Sequence, residues 1–215
     1  MEKRYESDMT RKEKRQNELK KLKSMTFKQK AAYIWEYYKG VFAGIIIACV
    51  IISIGVQMFQ NSQLKSLLSI AVVDSNYNHD EQVEALQNDF LAYAGTGDKH
   101  EVVDVDTSLI SGDDYNAVVK MTVVMGAGTA DMMFCGEETY KKYKQQEAFL
   151  SWKEVLGDDY PKYEEYMTDD GRLDLEKCPN WEKYNMVYYS PVYAVVMSSS
   201  KNLENCIKFL EMMVQ

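Results

Sequence analysis

The chain has 215 residues, of which 33 are acidic and 25 basic, for a net charge of −8. The charge is divided: residues 1–40 hold twelve Lys/Arg against six acids, and residues 61–215 hold thirteen against twenty-seven, so net charges of +6 and −14 flank an uncharged stretch. The acidic balance of the larger part argues against nucleic acid as a partner, and its length, about 155 residues, is enough for one domain with its own core.

Residues 1–23 are rich in Lys, Arg, Glu, Gln and Asn and cannot bury a core, which makes them a disordered tail or a solvated helix. Thr26 followed by Gln29 has the spacing of a capping box, so a helix should begin near Phe27. Ala31, Ile34, Trp35 and Tyr38 then share one face, Lys28, Lys30 and Lys39 can meet phosphates, and Tyr33, Trp35, Tyr37 and Tyr38 form an aromatic belt suited to a headgroup layer. Residues 26–40 are therefore read as an interfacial lead-in, with docking to a partner membrane protein as the sharper alternative.

Residues 41–60, VFAGIIIACVIISIGVQMFQ, carry no charge. As a helix they rise about 30 Å, the thickness of a bilayer's hydrocarbon core. Eleven are Val, Ile or Phe, contributing about −3 to −7 kcal/mol to insertion. Lys23, Lys28, Lys30 and Lys39 before the span outweigh Lys65 after it, which orients the N-terminus to the cytoplasm and the C-terminal part outside. The run exceeds a signal-peptide core and is followed by Asn61-Ser62-Gln63 rather than a small-x-small site, so an uncleaved single-pass anchor is expected. Anionic lipid accounts for the basic flank.

Beyond it, residues 67–74 are a near-continuous apolar run, the pattern of a strand buried on both faces. Residues 80–94 place Val83, Leu86, Phe90 and Ala94 at helical spacing, and residues 101–106 are a second strand. Residues 113–125 are read as a helix with Tyr115, Val118, Thr122 and Met125 on one side, although Val118, Val119, Val123 and Val124 keep a strand open there. Glycines 126 and 128 close it, residues 131–135 are a third strand, residues 137–146 a polar helix and residues 152–156 a short helical turn. Residues 157–190, with six tyrosines and little periodicity, are turns packed over the sheet; residues 192–197 are a strand and residues 202–214 the clearest amphipathic helix, with Leu203, Cys206, Ile207, Leu210, Met213 and Val214 on one face. The order β-α-β-α-β-α implies an α/β domain over residues 64–215, with a mostly parallel sheet and helices on both faces.

The run Ala127-Gly128-Thr129-Ala130-Asp131-Met132-Met133-Phe134-Cys135, followed by Tyr140, Tyr143, Ala148-Phe149-Leu150 and Trp152-Lys153-Glu154-Val155-Leu156, resembles bacterial extracellular solute-binding proteins of ABC transporters. The ending Val192-Tyr193-Ala194-Val195-Val196-Met197-Ser198-Ser199-Ser200-Lys201-Asn202, with Ile207-Lys208-Phe209-Leu210, is similar to the stretch where that family's chain re-enters its first lobe, and Asp169-Asp170-Gly171-Arg172 is similar to a turn there. The resemblance covers residues 66–156 and 186–215. It implies a single first-lobe fold of the periplasmic-binding-protein kind carried on an anchor. Such proteins run to twice this length and close two lobes on a ligand, and one lobe cannot enclose a solute.

No arrangement for catalysis is legible, and the chain is expected to be neither an enzyme nor a holder of cofactor or metal. Gly126-Ala127-Gly128 follows a helix and precedes a strand, the reverse of a phosphate-binding turn. His79 and His100 stand in loops without ligand spacing, and the pairs Asp113-Asp114, Asp158-Asp159 and Asp169-Asp170 lack the alternation of a calcium loop, leaving caps and turns. Cys135, Cys178 and Cys206 outside the span cannot all pair within one chain.

If a small molecule binds, the crevice beyond the carboxyl ends of parallel strands is the place. Here that is Asp74, Ser75, Asn76, Asp106, Thr107, Ser108, Cys135 and Gly136, which equally suit ordinary turns and N-caps. If a membrane or cell-surface protein binds, Tyr160, Tyr163, Tyr166, Tyr184, Tyr188 and Tyr189 offer apolar area with polar tips, unless they roof the sheet. The expected role is a non-catalytic, membrane-anchored accessory or partner-binding subunit of a transporter-like complex, with a ligand-sensing module as the alternative. Protease added to intact cells should remove the chain after about residue 61 and leave the basic N-terminus protected. A mature protein beginning near residue 61 would contradict the anchor.

Overall fold

The structure, a computed structural model, describes residues 10–215 without the side chains of Glu18, Lys21, Leu22, Ile34 and Tyr37. Sequence readings that fall on residues 1–9 and on Ile34 and Tyr37 lie outside the described residues. Two compact units divide after Ser62.

The first unit holds two helices. α1 (Arg11–Ser24) is solvated, as its composition requires, with even Leu19 exposed. α2 (Phe27–Asn61) is one continuous helix of 35 residues, so the lead-in and the apolar span are not separate elements. At its start the Thr26 N–H donates to Gln29 Oε1 at 3.1 Å, the reciprocal half of the capping box. Tyr38–Asn61 is long and apolar enough to cross a membrane, and none of its hydrophobic window is buried in the protein.

The second unit is mixed α/β around a central, mostly parallel sheet in the order β2-β1-β3-β6-β4. β1 (Lys65–Val73) pairs in parallel with β2 (Glu101–Leu109) and β3 (Met132–Cys135). β6 (Tyr193–Met197) returns antiparallel beside β3, and its outer edge is shared by two-residue strands β4 (Phe149–Leu150) and β5 (Leu173–Asp174). Periodicity did not reveal β4 or β5, because two residues carry no period. The helices between are α3 (Asp80–Ala94), α4 (Tyr115–Ala127), α5 (Glu137–Lys144), α6 (Trp152–Leu156), α7 (Trp181–Tyr184) and α8 (Leu203–Val214).

Alternation along the strands feeds two cores. Leu68, Ile70, Val72, Met132, Phe134, Ala194 and Val196 point to one face, where α3, α6, α7, α8 and the turns of residues 157–190 close over them. Ala71, Val73, Met133, Cys135, Val195 and Met197 point to the other, covered by α4 and α5. The first face is the thicker. Phe134 meets Trp181 edge-on at 5.6 Å between centroids and Phe209 at 5.7 Å, and the buried Trp152 Nε1–H donates to the Ala194 carbonyl at 2.8 Å.

Two sequence expectations about helix faces need correction. α8 buries Phe209 and Met212 besides Cys206, Leu210 and Met213, while Ile207 is only partly covered, so its buried arc is wider than the stripe read from spacing. α4 is a helix, capped by the Asp114 carboxylate, which accepts from the N–H groups of Asn116 and Ala117, and stopped by Gly128 at φ +61°. Its buried residues, however, are Met121 and Val124; of the stripe read from spacing, Tyr115, Val118 and Thr122 face solvent and only Met125 is partly covered. Cys49, Cys135, Cys178 and Cys206 are all free thiols.

Leu210→Ala should cost about 2–5 kcal/mol, because the side chain is fully buried in the thicker core. Chemical denaturation that finds no change would show α8 to be peripheral.

Candidate functional site

The carboxyl ends of β1 and β3 open onto two adjoining clefts of about 330 Å³ and 350 Å³ that share Asp74 and Tyr188. One is lined by Ser111, Gly136, Glu137, Glu138 and Ser190, the other by Ser75, Asn76, His79, Thr107 and Ile110. These volumes lie within the range of ligand sites.

Asp74 ends β1 in the left-handed region at φ +52°, a conformation Asp tolerates better than most residues. It is held there by its own N–H, which donates to the Leu109 carbonyl at 2.9 Å, and by the Ser111 N–H, which donates to its Oδ1 at 2.8 Å. The chain therefore turns sharply after β1 and is stitched to the end of β2. Ser75 Oγ donates to the Thr107 carbonyl at 2.8 Å, and Asn76 N–H to the Met186 carbonyl at 2.8 Å. Asn76 Oδ1 is buried and has no hydrogen-bond partner among the described residues. His79 is half-buried, with Nδ1 bonded to the Asn76 carbonyl, rather than a solvated loop histidine.

β2 runs on to Leu109, so Asp106, Thr107 and Ser108 belong to the strand and not to a turn beyond it. Asp106 accepts from the Ser108 N–H at 2.9 Å, and Lys120 Nζ donates to the Ser108 carbonyl at 2.9 Å. Cys135 is fully buried, and burial pushes its thiol up to about 12, which removes it as a nucleophile or ligand contact. Gly136 follows as the N-cap of α5; a Cβ there would meet the Tyr189 ring at 3.3 Å, so the glycine allows that ring a close approach to the strand end. The Tyr189 hydroxyl donates to the Val73 carbonyl at 3.0 Å, and burial raises its pKa.

Of the other tyrosines, Tyr184 is buried, and Tyr160, Tyr163 and Tyr166 are partly buried against the thicker core. Tyr188 is 76% exposed at the cleft rim, edge-on to Tyr189 at 6.3 Å. Tyr77 and Ile110, which sequence reasoning did not single out, stand exposed on the same rim. Tyr77 could have been found by reading one residue past Asn76. Ser190 and Pro191 had no local signal, being brought in from over a hundred residues away.

Beside the cleft, Arg172 is nine-tenths buried, with its guanidinium carbon 4.3 Å from the Tyr140 ring centroid and 4.0 Å from that of Tyr193. It bonds Glu137 and, at 2.7 Å, Asp170. Hydrogen bonds from Arg172 and Lys141 hold Glu137 well down, at about 2. Burial alone would raise Asp170, but Thr168, Arg172 and Lys144 outweigh it and hold it also at about 2. The cluster fixes the first turn of α5 against β6 and leaves Glu137 committed to structure. Among the described residues no group of three or more His, Cys, Asp or Glu comes together to hold a metal ion.

Comparison with protein-family models, with curated proteins and with solved structures finds no match.

Both carboxylates have folded pKa values below their ordinary ones, so the stability they add is present above about pH 4.5 and is lost as pH falls toward 2. Thermal melts from pH 7 to 2.5 should show this decline, and Arg172→Met should flatten it while lowering stability at pH 7. An acid limb unchanged by Arg172→Met would remove the cluster as its cause.

Proposed function

We propose that the chain is a membrane-anchored domain, N-terminus in the cytoplasm, that binds a protein partner with the carboxyl-end face of its sheet, as an accessory subunit of a transporter-like membrane complex. The observation that carries the reading is the rim itself: Tyr77, Tyr188 and Ile110 stand out into solvent around open polar clefts, while five of the six tyrosines first considered for contact turn inward or are half-covered. Large side chains exposed together cost solvation in a free domain, and they become the anchors of an interface when a partner covers them. The apolar helix Tyr38–Asn61 supports the anchor. The parallel pairing of β2, β1 and β3, with the crevice beyond their ends, is in keeping with one lobe of a solute-binding protein.

One observation favours a second reading, ligand sensing. Asn76 lines the cleft, and its Oδ1 is a buried acceptor without a donor among the described residues; a hydroxyl- or amine-bearing ligand that reached it would supply one.

Tyr77→Ala and Tyr188→Ala, tested in membranes by cross-linking and co-purification, should each weaken partner retention about tenfold or more. Their melting temperatures should match the parent, since neither ring is part of the core. Unchanged retention overturns the rim as the contact, and saturable binding of a sugar or peptide, lost in Asn76→Leu, would shift the conclusion to sensing.

A further inference from the structure

The solvent face of α4 is built the wrong way round for a helix that meets only water. Tyr115, Val119 and Val123 form one i,i+4 ridge and Val118, Thr122 and Gly126 the next, and all six are exposed, Tyr115 by 81% and Val123 by 56%. Thr122 turns its hydroxyl back onto the Val118 carbonyl at 2.8 Å, which hides the polar atom of that strip. Lys120 leaves it, reaching to the Ser108 carbonyl. Among the described residues of this face none is charged. A water-facing helix normally carries charge there, and three valines add poor helix propensity for no gain in packing.

The occupant follows from charge. A two-fold contact sets a face against its own copy, so every charge on it meets its like. Residues 61–215 carry a net −14, and most approaches of two such domains are repulsive. A strip without charge is where two copies can touch. A basic partner, by contrast, would be met by the acids this domain has in excess, and the strip offers none.

We propose that α4 is a self-association surface, through which two copies of this chain pair face to face. Thirteen residues of helix present a strip roughly 20 Å by 10 Å, well short of the ~800 Å² per partner of a stable interface. The pair is therefore weak in dilute solution and populated when both copies share a membrane, a clause that rests on the anchor reading.

The test uses the full chain in phospholipid vesicles with Cys49→Ser; Cys135, Cys178 and Cys206 are buried. Mild oxidation should convert Val119→Cys or Val123→Cys to a covalent dimer at least about tenfold faster than Lys153→Cys, exposed on α6. Val119→Glu and Val119→Lys should each cut cross-linking through Val123→Cys about tenfold or more with an unchanged melting temperature, and mixing the two should restore it, as only pairing between copies allows. Equal rates at Val123→Cys and Lys153→Cys, indifference to Val119→Glu, or failure of the mixture to recover each overturns the proposal, the last in favour of a foreign partner. Alkaline extraction run in parallel reports on the anchor separately. If it releases the chain, the same cross-linking at roughly millimolar protein decides the interface.

Discussion

The domain hangs together on a single carboxylate at the amino end of β3. Asp131 is buried; its side chain accepts from the Ser69 N–H of β1 at 2.9 Å, from Ser200 Oγ at 2.8 Å and from Asn202 Nδ2 at 3.0 Å. Its own N–H donates to the Ser69 carbonyl, and its carbonyl accepts from the Met197 N–H. One residue thus fixes the register of β1, β3 and β6 and the turn by which the chain enters α8. A buried carboxylate is tolerable only when its acceptors are satisfied, and here three donors from two segments converge on it. With the amino end closed this way, the opposite end of the strands is left for the clefts.

The two faces of the sheet are unequal, and much follows from that. The first is sealed by Phe90, Trp152, Phe209 and their neighbours, side chains large enough to interdigitate across several elements. The second has α4 and α5 alone. α5 has only eight residues and is mostly polar, and it is secured by burial of Tyr140 and Tyr143, by Tyr140 stacked on Phe149 at 5.6 Å and by Arg172 between two tyrosine rings. α4 gives just Met121 and Val124 to full burial, which is why so much of its valine content is left facing outward.

This inequality also organises the functional surface. The residues that cross the carboxyl ends of the strands come from both the turn after β1 and the segment before β6, and Tyr189 packs closely over Gly136, where a Cβ would come within 3.3 Å of its ring. Its neighbour Tyr188 stands outward, on the same rim as Tyr77 and Ile110. The rim is a by-product of how the strand ends are covered. Its apolar rings sit over polar walls, the combination by which protein contacts gain both area and orientation.

Sequence alone determined the elements whose signal is local. The uncharged twenty residues, the capping box at Thr26, the apolar run of β1, the limits of α3 at residues 80 and 94 and the stop at Gly128 all depend on neighbours within one or two turns, and they are found close to where they were read, although Gly126, read as part of the same stop, lies inside α4. The strand ends around Asp74 and Gly136 were legible for the same reason, since they follow from where a strand stops. Tertiary structure decided what no period can carry. Strands β4 and β5 are too short to show alternation, and β6 is antiparallel because of the path the chain takes to reach it. The outward turn of the α4 stripe was beyond the sequence, because an apolar face says only that it seeks cover and not whether the same chain provides it. Tyrosine illustrates the same limit. Six rings with the same chemistry end in the core, half-covered or in water according to which surface each meets, and that is settled by contacts between residues far apart in the chain.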